Sequence, residues 1–140
     1  MGDLRFYKPT STPGIAQRTR VTLTSAQILA LHGTPITLVA APPAGKVISV
    51  DEIVGKLTFK STQYTGANAV EFRYTDGSGA KVTGDAASAW LDGSVTAYVK
   101  TIAAAVTPIN AAVVAAVPSA NPAAGDSTVT FDVLYRIVTL

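Results

Sequence analysis

The sequence predicts an all-β protein: a jelly-roll-like sandwich of two sheets with about eight strands, one or two short helices and an extended N-terminal arm. Short runs of β-branched and aromatic residues recur along the chain, and several of them alternate apolar with polar residues. Turns that contain proline or glycine separate these runs, which is typical of an all-β architecture. A closed β-barrel is the alternative that the same pattern allows.

The composition fits one domain and excludes several kinds of site. A chain of 140 residues can bury a core without cross-links. It has no cysteine, which excludes disulfides, thiolate metal ligands and cysteine nucleophiles. Charged residues make up only 14% of the chain, against about a quarter in ordinary soluble domains. So little charge suggests that a partner covers part of the surface.

Residues 1–19 are predicted to form the arm, and residues 20–140 the sandwich. The arm shows neither helical nor strand periodicity. The net charge of +2 arises here, because the chain through Arg20 carries four cations and one carboxylate. A frayed terminus is the plain interpretation. The functional interpretation is an arm that binds a neighbouring subunit through cations and aromatic rings, with the candidate residues Arg5, Phe6, Tyr7, Lys8, Arg18 and Arg20.

Residues 34–59 are the stretch on which the predicted fold depends most. They read as two consecutive strands joined, as in a hairpin, by a turn of two prolines, an alanine and a glycine. A first strand is predicted before them at residues 20–23. Between the two, Thr24 and Gln27 form a capping-box pattern, which predicts a short helix over residues 26–31.

The second half of the chain repeats the same kinds of signal. Residues 69–74 alternate and predict a strand. Asp85 is expected to cap a short helix over residues 86–91. That helix carries Trp90, the only tryptophan, which is expected to plug one end of the core, with an interface anchor as the alternative. Further strands are predicted at residues 81–83, 95–102 and 111–117.

The chain closes with thirteen residues of strand-like composition, 128–140. An unpaired apolar strand would be an aggregation hazard, so we expect this one to lie paired inside a sheet. It is expected to belong to the half of the sandwich opposite residues 34–59. Removing it should unfold the domain.

Residues that catalysis or metal binding would need are few and scattered. His32 is the only histidine and is expected to cap the first helix or to lie on the surface. Asp51 and Glu52 are adjacent, so in a strand they point to opposite faces unless a bulge intervenes. Asp76 begins a turn that resembles only the opening of a calcium loop. We therefore expect no enzyme activity, no catalytic residues, no cofactor and no metal site.

Nucleic acid and membrane are not expected as partners. Apart from the arm the chain is nearly neutral, so phosphate binding would rest on the arm alone. The most apolar run, residues 102–117, is interrupted by Pro108 and falls short of the roughly 20 residues that a membrane span needs. The first residues show no apolar segment of a cleaved signal peptide. A soluble protein is expected.

Several segments, in their order and spacing, resemble a family of small structural proteins of tailed double-stranded-DNA bacteriophages. The resemblance covers about residues 20–140. The segments that carry it are VTLTSAQI (21–28), TPITLVAAP (34–42), GKVI (45–48), RYTDGSGA (73–80), NP (121–122), GDS (125–127) and YRIVTL (135–140).

The resemblance implies a capsid cement, or decoration, protein. Such a jelly-roll module sits on the outside of the phage head and ties neighbouring major capsid protein subunits together, with no catalytic residues. It also implies a place on the capsid exterior, after synthesis in the cytoplasm of the host bacterium. A homo-oligomer is expected, with a dimer favoured because two-fold pairs are the commonest kind. The alternative function is a tail, receptor-binding or carbohydrate-binding module that uses Tyr64, Tyr74 and Trp90.

Overall fold

A computed structural model describes residues 14–66, 68–102 and 108–140 of the chain. These residues form two antiparallel sheets, a four-stranded one in the order β1-β7-β3-β5 and a three-stranded one in the order β2-β6-β4. The elements are β1 Gln17–Leu23, α1 Ser25–Leu29, β2 Ile36–Val39, β3 Lys46–Thr58, β4 Glu71–Tyr74, α2 Ser88–Leu91, β5 Ala97–Ile102, β6 Val113–Ala116 and β7 Thr128–Thr139. The predicted all-β sandwich with short helices is confirmed.

The connections between strands give the sandwich a jelly-roll topology. The chain crosses from one sheet to the other between every two consecutive strands, from β1 to β7. Residues 80–86 run beside β4, held by isolated bridges between Arg73 and Lys81 and between Val70 and Ala86, and they occupy the place of an eighth strand. Because the described strands form two separate sheets, the closed-barrel alternative is wrong.

Strands β3 and β7 form the centre of the four-stranded sheet. They pair along their whole length, from Lys46 opposite Thr139 to Thr58 opposite Thr128. Strand β1 pairs with the other edge of β7, so the closing strand lies inside the sheet, as predicted. The expectation that residues 34–59 and 128–140 form opposite halves of the sandwich is wrong, because β3 and β7 are neighbours in one sheet.

The predicted hairpin within residues 34–59 is also wrong. Strand β2 pairs with β6 in the three-stranded sheet, whereas β3 pairs with β7 and β5 in the other. The turn itself is present: the Lys46 N–H donates to the Pro43 carbonyl at 3.2 Å, and Gly45 has a φ of 75°. A type II turn needs such a φ at its third residue. This turn carries the chain between sheets rather than back along the same one.

Aromatic rings fill the space between the sheets. Phe72 and Phe131 meet edge to face with their ring centroids 5.1 Å apart, and the Trp90 ring lies 6.1 Å from that of Phe131. The Trp90 indole N–H donates to the Ala97 carbonyl at 3.1 Å, and the side chain is 9% exposed. Trp90 is therefore part of the core, as predicted.

The short helices fit the predictions only in part. The capping box of Thr24 and Gln27 is present, because each side chain accepts from the backbone N–H of the other. Helix α2 follows Ala87 without a side-chain cap. The predicted cap by Asp85 is wrong, because this carboxylate pairs with Lys81 at 2.7 Å. In the described ranges, no helix has the length and hydrophobicity to cross a membrane.

Candidate interaction surface

Two of the candidate arm residues, Arg18 and Arg20, lie in β1. This strand begins at Gln17, three residues earlier than predicted. Both guanidinium groups bind Asp132 of the neighbouring β7: Arg20 through Nε at 2.9 Å and Nη2 at 3.1 Å, and Arg18 through Nε at 3.1 Å and Nη2 at 3.0 Å. These two cations therefore belong to the sheet. The other candidates, Arg5, Phe6, Tyr7 and Lys8, lie outside the described residues.

The two arginine partners of Asp132 stabilise its ionised form. The hydrogen bonds from Arg20 and then Arg18 lower the pKa of Asp132 from 3.8 to about 2, although partial burial opposes this. Two positive charges against one negative charge leave the cluster with a positive excess at neutral pH. More than half of each arginine side chain remains exposed, so both guanidinium groups can still reach a partner.

The outward side chains of the four-stranded sheet, here called the outer face, form regular rows across the strands. One row runs from Thr22 through Thr130 and Lys56 to Tyr98, one side chain from each strand. The Thr22 and Thr130 hydroxyl oxygens are 3.0 Å apart and share one hydrogen bond, which leaves one hydroxyl proton for another acceptor. The Lys56 ammonium lies 5.7 Å from the centre of the Tyr98 ring.

A shallow groove of about 330 Å³ crosses this face. Arg20 and Tyr98 lie at its two sides, because they come from the two edge strands β1 and β5. Lys56, Asp132, three threonine side chains and one apolar side chain complete the lining. The lining residues are Arg20, Thr22, Val54, Lys56, Thr58, Tyr98, Thr130 and Asp132.

Edge strand β5 exposes large apolar side chains on the same face. Tyr98 is 68% exposed and Ile102 is 69% exposed, with Lys100 between them along the strand. Lys100 pairs with Glu52 of β3 at 2.9 Å. None of these residues is among the site residues predicted from the sequence, although the alternation of residues 97–102 is a signal that could identify them.

A β-bulge lies between Val50 and Glu52 in the pairing of β3 with β7. Such a bulge is the exception to the rule that adjacent strand residues, here Asp51 and Glu52, point to opposite faces. Asp51 and Glu52 contact different cations, Arg136 at 3.5 Å and Lys100 at 2.9 Å. The predicted surface charges are thus confirmed, and the structure adds that each carboxylate pairs with one cation.

The outer face has more positive than negative charge, whereas the remaining described residues have slightly more negative charge. Elsewhere in the described ranges four cations stand against five carboxylates. On the outer face five cations stand against three carboxylates: Arg18, Arg20, Lys56, Lys100 and Arg136 against Asp51, Glu52 and Asp132.

Charges beside the three-stranded sheet neutralise one another. Glu71 binds Arg73 at 2.6 Å and Lys81 at 3.1 Å, and Lys81 also binds Asp85 at 2.7 Å. Burial acts to raise the pKa of Glu71, but the hydrogen bonds from Arg73 and Lys81 outweigh it and lower the pKa overall. This network is internally satisfied and stabilises the region where residues 80–86 lie along β4.

The aromatic residues considered for carbohydrate binding are core residues. Tyr64 is 1% exposed and Tyr74 is 2% exposed, and Trp90 is also buried. The Tyr64 hydroxyl donates to the Ser127 carbonyl at 2.5 Å, and the Tyr74 hydroxyl donates to the Ile48 carbonyl at 3.0 Å. None of these three rings can stack on a ligand, so this candidate glycan site is wrong.

The remaining residues considered for catalysis or metal binding make structural contacts. His32 is exposed, which confirms the surface alternative; its Nδ1 lies 2.8 Å from the Val117 carbonyl oxygen, and its backbone N–H donates to the Asn121 side chain. Asp76 accepts from the Ser78 backbone N–H at 2.8 Å, which makes the segment a plain turn. Among the described residues, no three His, Cys, Asp or Glu side chains cluster as metal ligands would.

Comparison with solved structures finds chains similar to this one over most of their length. A chain in the structure of the capsid of Ralstonia phage GP4 is 15% identical, with a TM-score of 0.55, over 96% of this chain and 90% of that one. A chain of the cyanophage Pam1 capsid asymmetric unit is 22% identical, with a TM-score of 0.49, over 94% and 92% of the two chains. A chain from Bacillus endospore appendages, a family of disulfide-linked pili, is 13% identical, with a TM-score of 0.37, over 100% and 99%.

At 15% identity, the likeness to the Ralstonia phage capsid chain shows a common fold. No protein-family model matches the sequence, and no curated protein matches it either.

Proposed function

We propose that this chain is a capsid cement protein, which binds the outside of a phage head and links neighbouring major capsid protein subunits. The observation that supports this best is the whole-length likeness to a chain from a phage capsid, with 96% of this chain and 90% of that chain covered. Coverage of nearly the whole of both chains means that the resemblance is not confined to a shared sheet. The segments that resemble phage structural proteins in sequence support the same role.

The structure suits a link that bears load. Each sheet is antiparallel, and the long strands β3 and β7 pair over their whole length at the centre of the larger sheet. Many copies on a lattice would add weak contacts into strong attachment, so each copy needs only a modest interface. An exposed, positively charged sheet face can provide such an interface. The function that follows is mechanical, with no chemical step.

The N-terminal residues contribute to the contact in this proposal. Arg5, Phe6, Tyr7 and Lys8 would anchor on an adjacent capsid subunit, while Arg18 and Arg20 approach acidic residues of the same lattice from β1. Because Arg18 binds Asp132 within the sheet, a test of the arm must leave β1 intact. Deletion of residues 2–13 does so, since the strand begins at Gln17.

Binding to heads that lack this protein tests the proposal. Purified protein is mixed with such heads and sedimented, and we expect saturable binding that weakens as salt rises. Decorated heads should also retain their DNA to a higher temperature than bare heads. Absence of binding, or binding without any gain in head stability, would contradict a cementing role.

The contribution of the arm and the oligomeric state are tested with the purified protein and the same heads. We expect the variant without residues 2–13 to fold normally, and to bind heads more weakly than the full chain with a smaller dependence on salt. Equal binding by the two forms would remove the arm from the proposal. Analytical ultracentrifugation tests the expected dimer, and a monomer at all concentrations would contradict it.

A further inference from the structure

The groove on the outer face contains a cation whose charge the described residues do not balance. Lys100 has Glu52 as a partner, and Arg20 has Asp132. No carboxylate among residues 14–66, 68–102 and 108–140 lies within 4.0 Å of the Lys56 ammonium. The ammonium instead lies 5.7 Å from the centre of the Tyr98 ring. Lys56 is therefore available as a counter-charge for an acidic ligand.

The groove combines this charge with hydrogen-bond donors and apolar surface. Arg20 lies on one side, and the hydroxyl pair of Thr22 and Thr130 can donate one proton into the groove. Tyr98 provides an exposed aromatic face on the other side, and Ile102 extends the apolar surface along β5. A carboxylate on a short side chain, attached to a backbone with apolar neighbours, matches all three properties.

We propose that this groove receives an aspartate or glutamate side chain from an extended acidic segment of the capsid subunit, with Lys56 as the counter-charge and Tyr98 as the apolar contact. This inference rests on the proposed function for the identity of the partner. It deepens that function by assigning the outer face of the four-stranded sheet to the contact. The charge of the face selects a polypeptide with negative charge, and the exposed Tyr98 and Ile102 favour a protein segment over a free anion.

Charge reversal at Lys56 tests the groove on heads. Lys56→Glu should weaken head binding by at least about tenfold and reduce its salt dependence, because it places like charges together. Lys46→Glu is a matched control, since Lys46 begins the same strand and lies outside the groove. Tyr98→Ala, at an exposed position, should weaken binding without destabilising the fold. If Lys56→Glu and Tyr98→Ala bind heads as the wild type does, the groove is not the contact.

A second measurement separates the groove from the proposed function. The isolated full chain is titrated with hexaglutamate and, in parallel, with a hyaluronan oligosaccharide, while backbone amide NMR signals are followed. We expect hexaglutamate to shift the signals of Lys56, Tyr98 and Thr130, and Lys56→Glu to abolish these shifts. Shifts elsewhere, no shifts, or a stronger response to the oligosaccharide would overturn the assignment to an acidic polypeptide.

The two experiments fail in different ways. If the wild type does not bind heads, the cement function is wrong, and the titration still decides which chemistry the groove accepts. If the wild type binds heads and the Lys56 variant binds equally well, the cement function stands and the groove assignment is wrong.

Discussion

Gly55 of β3 lies so close to the indole of Trp90 that a methyl group on Gly55 would come within 3.0 Å of the ring atom Cη2. The same methyl group would lie 3.0 Å from the ring of Phe131 and 2.9 Å from Val99 Cγ1. Glycine at this position therefore lets the aromatic residues pack directly against the sheet backbone. The packing of these rings therefore requires a residue without a side chain at position 55.

Gly55→Ala should lower the free energy of unfolding by about 1–3 kcal/mol, because the added methyl group overpacks the core. Denaturant unfolding measures this change. Gly84→Ala is the matched control, since a methyl group there would meet no atom within 4 Å. A Gly55→Ala protein as stable as the Gly84→Ala protein would contradict the packing described here.

Acid should destabilise the fold partly through Asp132. Its pKa is lowered to about 2 in the folded chain, so its ionised form stabilises the fold above pH 4. This contribution is lost as the pH falls from about 4 through 2. Asp132→Asn should cost about 1 kcal/mol at neutral pH, the upper range for exposed ion pairs, and should flatten the dependence of stability on pH over this interval.

Denaturant titrations at several pH values test this ion pair. Replacement of Arg18 and Arg20 together by glutamine should flatten the same interval, because these two residues cause the pKa shift. If Asp132→Asn keeps the wild-type pH profile, Asp132 is not the group responsible.

The Tyr74 hydroxyl links the two sheets, since it belongs to β4 and donates to the Ile48 carbonyl of β3. Tyr74→Phe should lower the free energy of unfolding by about 1 kcal/mol, the usual net value of such a bond. Burial raises the pKa of Tyr74 to about 12, so the neutral phenol stabilises the fold below pH 10, and this is lost as the pH rises through 12. Tyr74→Phe should therefore weaken the alkaline dependence of stability. An unchanged alkaline profile would contradict this role.

Removal of residues 128–140 should abolish folding. Strand β7 lies between β1 and β3 and supplies buried side chains to the core, including Phe131 and Val133. Its loss would separate β1 from the sheet and expose one edge of β3. Circular dichroism and the cooperativity of thermal unfolding measure the outcome. A truncated chain that still unfolds cooperatively would show that the sandwich does not need its central strand.

Local signals in the sequence predicted individual elements well. The alternation of residues 128–140 identified β7, and the capping box identified α1. Strand β6 was predicted within an alanine-rich segment from its valines, and all four of its residues are buried. In each case the side chains that decide the element lie next to one another in the sequence.

Relationships between distant segments could not be predicted in this way. A proline-glycine turn shows that the chain reverses, but it does not show whether the following strand joins the same sheet, and here β2 and β3 lie in different sheets. The pairing of Arg20 with Asp132 joins residues 112 positions apart. The groove at Lys56 and Tyr98 likewise needs all four strands in register. A sequence pattern indicates which side chains share one face of a strand. A site that spans several strands also depends on the order of these strands in the sheet, which the pattern does not give.

The most direct test of the central claim is a comparison by electron cryomicroscopy of heads with and without this protein. We expect added density on the outside of the shell, of the size of the sandwich, bridging the boundary between neighbouring major capsid subunits. Density confined to the tail or to the inside of the head would contradict the cement function, as would identical maps of the two kinds of head.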